Sequence, residues 1–345
     1  MSTVFLDWAA PQSCAAGAVF PVFMPFMGCP GRCIFCAQDA QTGGAEASLT
    51  QRLAVARAAL ARRADRGLPP VELAFYGGTF TALPAPAQEA CLAFAAEAMR
   101  AGQAVAFRCS TRPDCLSAAK VRALRESGCG CIELGIQSFA DAALDLARRG
   151  YGQAVAITAC ELVRAGGLRL GVQLLPGMPG VDRAVFLQDV QTALSVGANM
   201  LRFYPCLVLE GTALAEQWRA GRFAPWDLPV TLDALAEGWL LAHAGGVPVI
   251  RMGLAPEASL ADAVLAGPVH PALGARVLAR ALLLAVRRAC AQYAPGKPLR
   301  GLEIPHRCQG HFWGAGGELR SAWAGLGITQ ERLSCGQEGQ IRLIW

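Results

Sequence analysis

Lysine is almost missing from this chain: of its 31 basic residues only Lys120 and Lys297 are lysine, and the rest are arginine. No apolar run approaches the roughly 18 residues a membrane helix needs. The most apolar stretch, residues 18–27, is short and interrupted by Pro21 and Pro25. The first residues include Asp7 and no basic lead-in, so they do not read as a secretory leader. Charged residues make up only 17% and hydrophobic ones 54%, the reverse of a disordered chain. There is no G-x-S-x-G nucleophile elbow and no Walker phosphate loop, which removes two common enzyme signatures. What remains is a globular protein with no membrane contact, expected in the cytoplasm. At 345 residues it can form one large domain or two modest ones.

Cysteine, by contrast, is abundant. Fourteen of them in a chain with no secretion signal argue against a disulfide scaffold, because the cytosol keeps thiols reduced. Some should serve metal or redox chemistry and the rest should be small buried hydrophobes. The charge is uneven too. Residues 271–345 hold 10 basic and 4 acidic residues, a surplus of +6, which leaves −1 for everything before them.

Strand-like and helix-like segments alternate from about residue 17. Strands are expected at 18–27, 71–76, 104–110, 131–137, 168–175, 199–209 and 247–253. Helices are expected at 49–66, 87–100, 117–127, 141–149, 153–165, 182–196 and 232–244. Repeated units of this spacing imply a parallel sheet with right-handed crossovers, and six or seven of them suggest a barrel, open or closed. After Leu254 the rhythm changes to one long helix over 271–293 and a glycine-rich remainder. The expected organisation is a lead over 1–16, a barrel over 17–255 and a basic α+β extension over 256–345.

Several strands carry polar residues of one parity. Arg108, Ser110 and Arg112 alternate with apolar neighbours, as do Glu133, Gly135 and Gln137, then Gln173, Arg202 with Tyr204, and Arg251. Alternate residues share a face, and polar groups buried without partners are costly, so an inward row implies a wet or ligand-filled cavity. The plainer reading places these residues outward against the helices.

The sharpest motif is Cys29-Pro30-Gly31-Arg32-Cys33-Ile34-Phe35-Cys36, a C-x3-C-x2-C cluster in the loop after the first strand. Parallel barrels put their active-site loops there. Closely spaced thiolates hold iron–sulfur clusters, and three of them on a four-iron cluster leave one iron open. Structural zinc is the rival reading, but it needs a fourth ligand and none lies nearby in sequence. The second motif, Tyr76-Gly77-Gly78-Thr79-Phe80-Thr81, ends the next strand. Alone it is an ordinary turn; above the strand next to a cluster it becomes a ligand contact.

In this order, on these strands, the two motifs resemble the radical S-adenosylmethionine (radical SAM) superfamily. Ser110-Thr111-Arg112-Pro113-Asp114, Glu133-Leu134-Gly135-Ile136-Gln137-Ser138, Arg149-Gly150-Tyr151, Gln173-Leu174-Leu175-Pro176-Gly177-Met178-Pro179-Gly180 and Arg202-Phe203-Tyr204-Pro205 look like the radical SAM module of the Elongator catalytic subunit and its bacterial relatives. The oxygen-independent coproporphyrinogen oxidases are a more distant likeness. The resemblance covers roughly residues 17–255 and implies a partial (β/α)6-type barrel. It makes Cys29, Cys33 and Cys36 the ligands of a [4Fe–4S] cluster, and it puts Gly77, Gly78 and Thr79 at the methionyl end of SAM. Gln137 and Arg149 match contacts to the SAM nucleoside or carboxylate. Gln173 falls where a ribose or adenine contact is expected, at a position where the distant relatives use an acid.

The activity so implied is reductive cleavage of SAM, by an electron from a flavodoxin- or ferredoxin-type partner, to methionine and a 5′-deoxyadenosyl radical that attacks an RNA or tRNA nucleoside. The alternatives are a small-molecule or cofactor-biosynthetic substrate or, outside enzymes, an iron–sulfur electron carrier or an RNA-binding protein with an inactive site. The acetyl-CoA loop of the Elongator subunit, R/Q-x-x-G-x-G/A, has no convincing counterpart. His311-Phe312-Trp313-Gly314-Ala315-Gly316 has its glycine spacing but the wrong first residue. The basic extension offers an RNA-facing surface, where Arg276, Arg280 and Arg287 form a helical stripe that Leu283 interrupts; a solvated basic face is the plainer reading. His306, Cys308, His311 and Cys335 read as structural rather than as a second metal site.

Overall fold

Short apolar strands alternating with amphipathic helices build a seven-stranded parallel sheet in the computed structural model, which describes residues 2–10, 18–38, 47–254 and 258–345. The chain begins with β1 (Thr3–Asp7), which belongs to a second sheet. The parallel sheet is formed by β2 (Val19–Phe23), β3 (Val71–Tyr76), β4 (Ala104–Thr111), β5 (Cys129–Gln137), β6 (Arg169–Leu174), β7 (Met200–Phe203) and, after the two-residue β8 (Val208–Leu209), β9 (Val249–Met252). These seven lie side by side in chain order, the winding that successive right-handed crossovers produce. The two edge strands, β2 and β9, are not paired to each other, so the barrel is open on one side. The crossovers contain α1 (Leu49–Asp65), α2 (Ala85–Arg100), α3 (Ala118–Glu126), α4 (Asp141–Leu146), α5 (Gln153–Ala165), α6 (Arg183–Ser195), α7 (Ala213–Arg219) and α8 (Leu228–Ala244).

The helix starts are written locally. Ser48 and Gln51 form a reciprocal capping box on α1, with bonds of 3.2 and 2.8 Å. Ser117, Asp182, Thr212 and Asp227 accept from the first turns of α3, α6, α7 and α8. Strand parity does the rest. Val71, Leu73 and Phe75 of β3 are buried, and Phe75 meets Phe80 and Phe107 at ring distances of 5.2 and 5.8 Å. Glu72 and Tyr76 take the opposite parity and join the polar groups inside.

The C-terminal part adds α9 (Ala258–Ala263), β10 (Val264–Ala266), α10 (Leu273–Tyr293), β11 (Gly301–Pro305), α11 (Arg320–Gly325), β12 (Leu333–Gly336) and β13 (Gln340–Ile344). Its sheet has the order β1-β13-β11-β12. The residues expected as a lead therefore contribute an edge strand to the far end of the chain. Val4 and Leu6 pack on the core while Thr3, Phe5 and Asp7 face out. Residues 11–16 and the expected boundary at 255–256 lie outside the described residues.

Element ends shift in places: the strand expected at 18–27 stops at Phe23 and the helix expected at 232–244 begins at Leu228. Two further elements differ. The strand expected at 199–209 is broken: β7 ends at Phe203, and Val208–Leu209 pairs antiparallel with β10 instead. Pro205 has no N–H for the ladder, and its neighbours Tyr204 and Cys206 donate to the carbonyls of Leu174 and Pro176. The helix expected at 141–149 stops at Leu146, because Arg148 turns left-handed at φ +55°. The basic stripe on α10 is largely neutralised. Arg276 is 2.8 Å from Glu318 and Arg280 is 2.8 Å from Asp233, which leaves Arg287 alone of the three without an acidic partner among the described residues.

Candidate active site

The loops after β2 and β3 are pressed together backbone to backbone. Met24 N–H donates to the Tyr76 carbonyl at 2.7 Å and Thr79 N–H to the Met27 carbonyl at 2.8 Å. Glycine is required at two of these contacts. A methyl group on Gly78 (φ +64°) would sit 2.1 Å from the Met27 oxygen, and one on Gly28 (φ +73°) 2.4 Å from the Thr79 oxygen. Gln38, which nothing in its sequence position marks out, fastens the pair: its Oε1 accepts from Phe26 N–H at 2.6 Å and Gly78 N–H at 2.9 Å.

This clamp brings the cysteine loop onto the wall of a cavity of about 650 Å³, a cofactor-sized space. Cys29, Cys33 and Cys36 line it, and so do Gly77, Gly78, Thr79, Gln137, Arg149 and Gln173. All nine candidate site residues thus face one chamber. The Thr79 hydroxyl is 3.3 Å from the Cys29 sulfur. Burial, and then the neighbouring Cys33 and Cys29 sulfurs, push the Cys36 thiol up to about 12. Cys206 lines the same cavity, but burial alone accounts for its raised thiol.

The soft donor set suits iron–sulfur ligation. Among the described residues, no three Cys, His, Asp or Glu side chains converge as a single-ion site. Three thiolates on a multi-iron cluster each take a different iron and need no such convergence, so the residues fit the cluster better than zinc.

Arg149 is less free than a plain SAM ligand would be. Its guanidinium donates to Cys33 Sγ at 3.0 Å, to Tyr151 Oη at 3.0 and 2.7 Å, and to the Gly135 carbonyl. Four of its five N–H donors are thereby engaged. Arg112 lies behind it, paired with Asp114 at 2.7 Å, donating to the Arg149 carbonyl and 3.8 Å from Cys33 Sγ.

Gln137 is different. Its side chain makes no hydrogen bond to the protein among the described residues, and its backbone is left-handed at φ +72°. The β5–β6 register shifts between Leu134 and Gln137, which re-aims the strand end into the chamber. Behind it, Asp189 of α6 accepts from Ser138 Oγ and Phe139 N–H, both at 2.7 Å, and holds the turn that follows.

Burial, only partly offset by those two bonds, raises the Asp189 carboxyl from 3.8 to about 6. A raised folded-state value means no penalty below about pH 4, a growing one up to pH 6 and the full one above. Asp189→Asn keeps the Phe139 bond on its carbonyl oxygen, reverses the Ser138 bond so that its NH2 donates to the hydroxyl oxygen, and removes the buried charge; it should stabilise the protein by up to about 3 kcal/mol at pH 8 and little at pH 4. Urea midpoints of the two proteins at both pH values check this; an equal difference at each would contradict it.

The chamber floor is a buried charge network. Glu133 accepts from Arg108 at 3.1 Å, from Tyr76 Oη at 2.7 Å and from Gln173 Nε2 at 3.3 Å, and it pairs with Arg202 Nε at 2.6 Å. Glu72 pairs with Arg108 and, at 2.6 Å, with Arg169. Burial alone would raise the Glu133 carboxyl, but Arg202, Tyr76 and Arg108 outweigh it and hold it below the ordinary range. The inward-facing reading of the polar parity is the one the fold adopts.

The radical SAM superfamily model matches residues 23–193, and the radical SAM C-terminal domain model continues the match over 198–282. The chain belongs to the radical SAM superfamily. As such it is an enzyme of the class that works with SAM and an iron–sulfur cluster. Among curated radical SAM relatives, the tRNA uridine(34) acetyltransferase of Methanocaldococcus infernus is 31% identical over 187 residues, 48% of this chain and 35% of that one. Protein YhcC of Escherichia coli is 28% identical over 198 residues, 56% of this chain and 62% of that one. The matched part thus spans about a third of the first relative's length. The structure of the archaeal Methanocaldococcus infernus Elp3 with an N-terminal deletion superposes with a TM-score of 0.58 at 22% identity. It covers 81% of this chain and 64% of that one, and it shows the shared fold. No helix among the described residues is long and apolar enough to cross a membrane.

Proposed function

We propose that this radical SAM enzyme reductively cleaves SAM in the chamber described above and directs the resulting chemistry at a nucleoside of tRNA. The observation that carries the reading is the meeting of three cysteines, the paired glycines and the unengaged Gln137 amide in one cavity. Cys29, Cys33 and Cys36 would hold a [4Fe–4S] cluster. Bound there with SAM and reduced by a flavodoxin- or ferredoxin-type partner, the cluster supplies the electron that breaks the sulfonium C–S bond.

The chain's own residues do the rest. Arg149 and Arg112 keep a cationic wall on Cys33. Gly77 and Gly78 let the main chain approach the methionyl end, with Thr79 beneath. The Gln137 amide offers two donors and an acceptor to the nucleoside, and Gln173, tethered to Glu133 and Ser110, flanks it. A buried floor keeps water from the reacting atoms. A uridine of tRNA is proposed from the relatives' names. Acetyl transfer is not part of the proposal.

The test is anaerobic. Reconstituted protein with SAM and dithionite should release 5′-deoxyadenosine, and tRNA carrying unmodified uridine at the wobble position should increase its yield. No release with or without tRNA refutes SAM cleavage. Release that tRNA leaves unchanged, with no modified nucleoside in the digest, refutes the tRNA assignment.

A further inference from the structure

Six arginines line the cavity and, among the described residues, no aspartate or glutamate does. Four of them are engaged by groups behind the wall: Arg108 and Arg202 pair with Glu133, Arg112 pairs with Asp114, and Arg149 donates to the Cys33 sulfur. Arg32 lies exposed, 4.2 Å above the Phe26 ring. Arg251 is the sixth. It stands on β9, the edge strand at the barrel's open side, directly across from Arg202 on β7. Its Nε donates to the Gly253 carbonyl at 3.1 Å, and its two terminal nitrogens have no protein partner among the described residues.

Two like charges side by side on neighbouring strands repel. Arg202 is the better compensated, but its Glu133 is already shared with Arg108. A half-buried guanidinium with idle N–H groups next to a second guanidinium is a fork that matches two oxygens of one anion. The Tyr204 hydroxyl, 3.2 Å from Arg202 Nη1, adds a neutral polar group on the same wall. The open side also places Arg251 where a nucleotide of a larger molecule can enter.

We propose that Arg251, with Arg202 beside it, binds an oxyanion of the substrate, a phosphate attached to the nucleoside that the chamber modifies. This rests on the chamber being the substrate site of the proposed function, and it narrows the substrate class to phosphate-bearing molecules. A phosphate of RNA and that of a free nucleotide offer the same chemistry.

The experiment uses the full chain with cluster and SAM bound. Uridine 5′-monophosphate, uridine and an unmodified tRNA are each titrated while thermal unfolding and fluorescence anisotropy are followed. Wild type should be stabilised by the monophosphate and not by uridine. If RNA is the source, tRNA binds more tightly than the monophosphate; if a free nucleotide is, the monophosphate competes tRNA off. Arg251→Gln should weaken binding of the phosphate-bearing ligand about tenfold or more. For tRNA it should also lower the slope of log affinity against log salt by about one. Arg251→Lys should recover part of the loss, and Arg62→Gln, an exposed site on α1, should change neither. SAM affinity should stay within about twofold, which shows that the variant's chamber is intact.

Equal protection by uridine and its monophosphate overturns the proposal. So does an Arg251→Gln protein with wild-type affinity and salt slope, or a wild type that no phosphate-bearing ligand protects. Loss of SAM cleavage in the companion assay, with the phosphate dependence on Arg251 intact, refutes the proposed chemistry and leaves the oxyanion site standing.

Discussion

Cys33→Ala protein will emerge from anaerobic reconstitution without its iron and with at least about 100-fold less 5′-deoxyadenosine than wild type. Loss of partners outside the ligand shell costs metal sites roughly 10–100-fold, and a lost ligand should exceed that. The fold gives a reason to expect a clean loss. Cys33 is only half-buried in a loop whose shape is set elsewhere, by Gln38 and by the Met27–Thr79 hydrogen bond. Arg149 keeps Tyr151 and Gly135 when the sulfur goes, so the wall behind it should not collapse. Apo wild type and apo variant should therefore unfold at similar urea concentrations.

Cys91→Ala is the contrasting control. Cys91 is fully buried against Met24, with its sulfur 3.6 Å from the thioether, so its loss should reduce stability and leave iron content unchanged. Iron and acid-labile sulfide analysis with the SAM assay distinguishes the two. Iron retained by Cys33→Ala at wild-type stoichiometry, with SAM cleavage intact, would remove that residue from the ligand set.

What the sequence made legible was local. The three-residue and two-residue spacings of the cysteines, the paired glycines and the alternation of Arg108 with Ser110 or Glu133 with Gly135 all sit within single strands or loops. Period-2 parity was enough to say that these groups share a face, and the burial cost of polar atoms favoured an interior chamber. Pairings between distant segments were not legible. Nothing in the Thr3–Asp7 strand names β13 as its partner, because a five-residue alternation fits any open sheet edge. The stripe on α10 looked free because its acids, Asp233 and Glu318, lie 47 and 42 residues from Arg280 and Arg276. Asp189, 50 residues beyond Phe139, was invisible for the same reason. The break after Phe203 is the one miss with a local signal, since Pro205 argued against an uninterrupted strand.

The chamber floor carries the largest expected effect on stability. Glu133 is 1% exposed and stands between Arg108, equally buried, and Arg202. Glu133→Ala removes the carboxylate and leaves the cations in place. Arg108 keeps Glu72, but Arg202 loses its only acidic partner among the described residues and Tyr76 its acceptor. Breaking a buried pair from one side typically costs about 3–5 kcal/mol, because the remaining charge stays desolvated without a partner. Urea unfolding of the cluster-free proteins under reducing conditions should register a loss of that size. A loss below about 1 kcal/mol would mean that solvent reaches the floor and screens it.

The pH dependence supplies an independent check. The folded-state Glu133 carboxyl is held below its ordinary value, so its contribution is fully present above the unfolded-state range and disappears only as pH falls through the lower folded value. The Glu133→Ala penalty should therefore be constant from pH 8 to pH 6 and shrink in acid, whereas the gain from Asp189→Asn collapses between pH 6 and pH 4. Two buried carboxylates in one barrel, one stabilised by arginines and one left with only a hydroxyl and an N–H, thus titrate on opposite sides of their ordinary values. The arginine-rich cavity wall sits over the stabilised one. That placement anchors the cationic surface from beneath while leaving its exposed side, at Arg251, for an anion brought by the substrate.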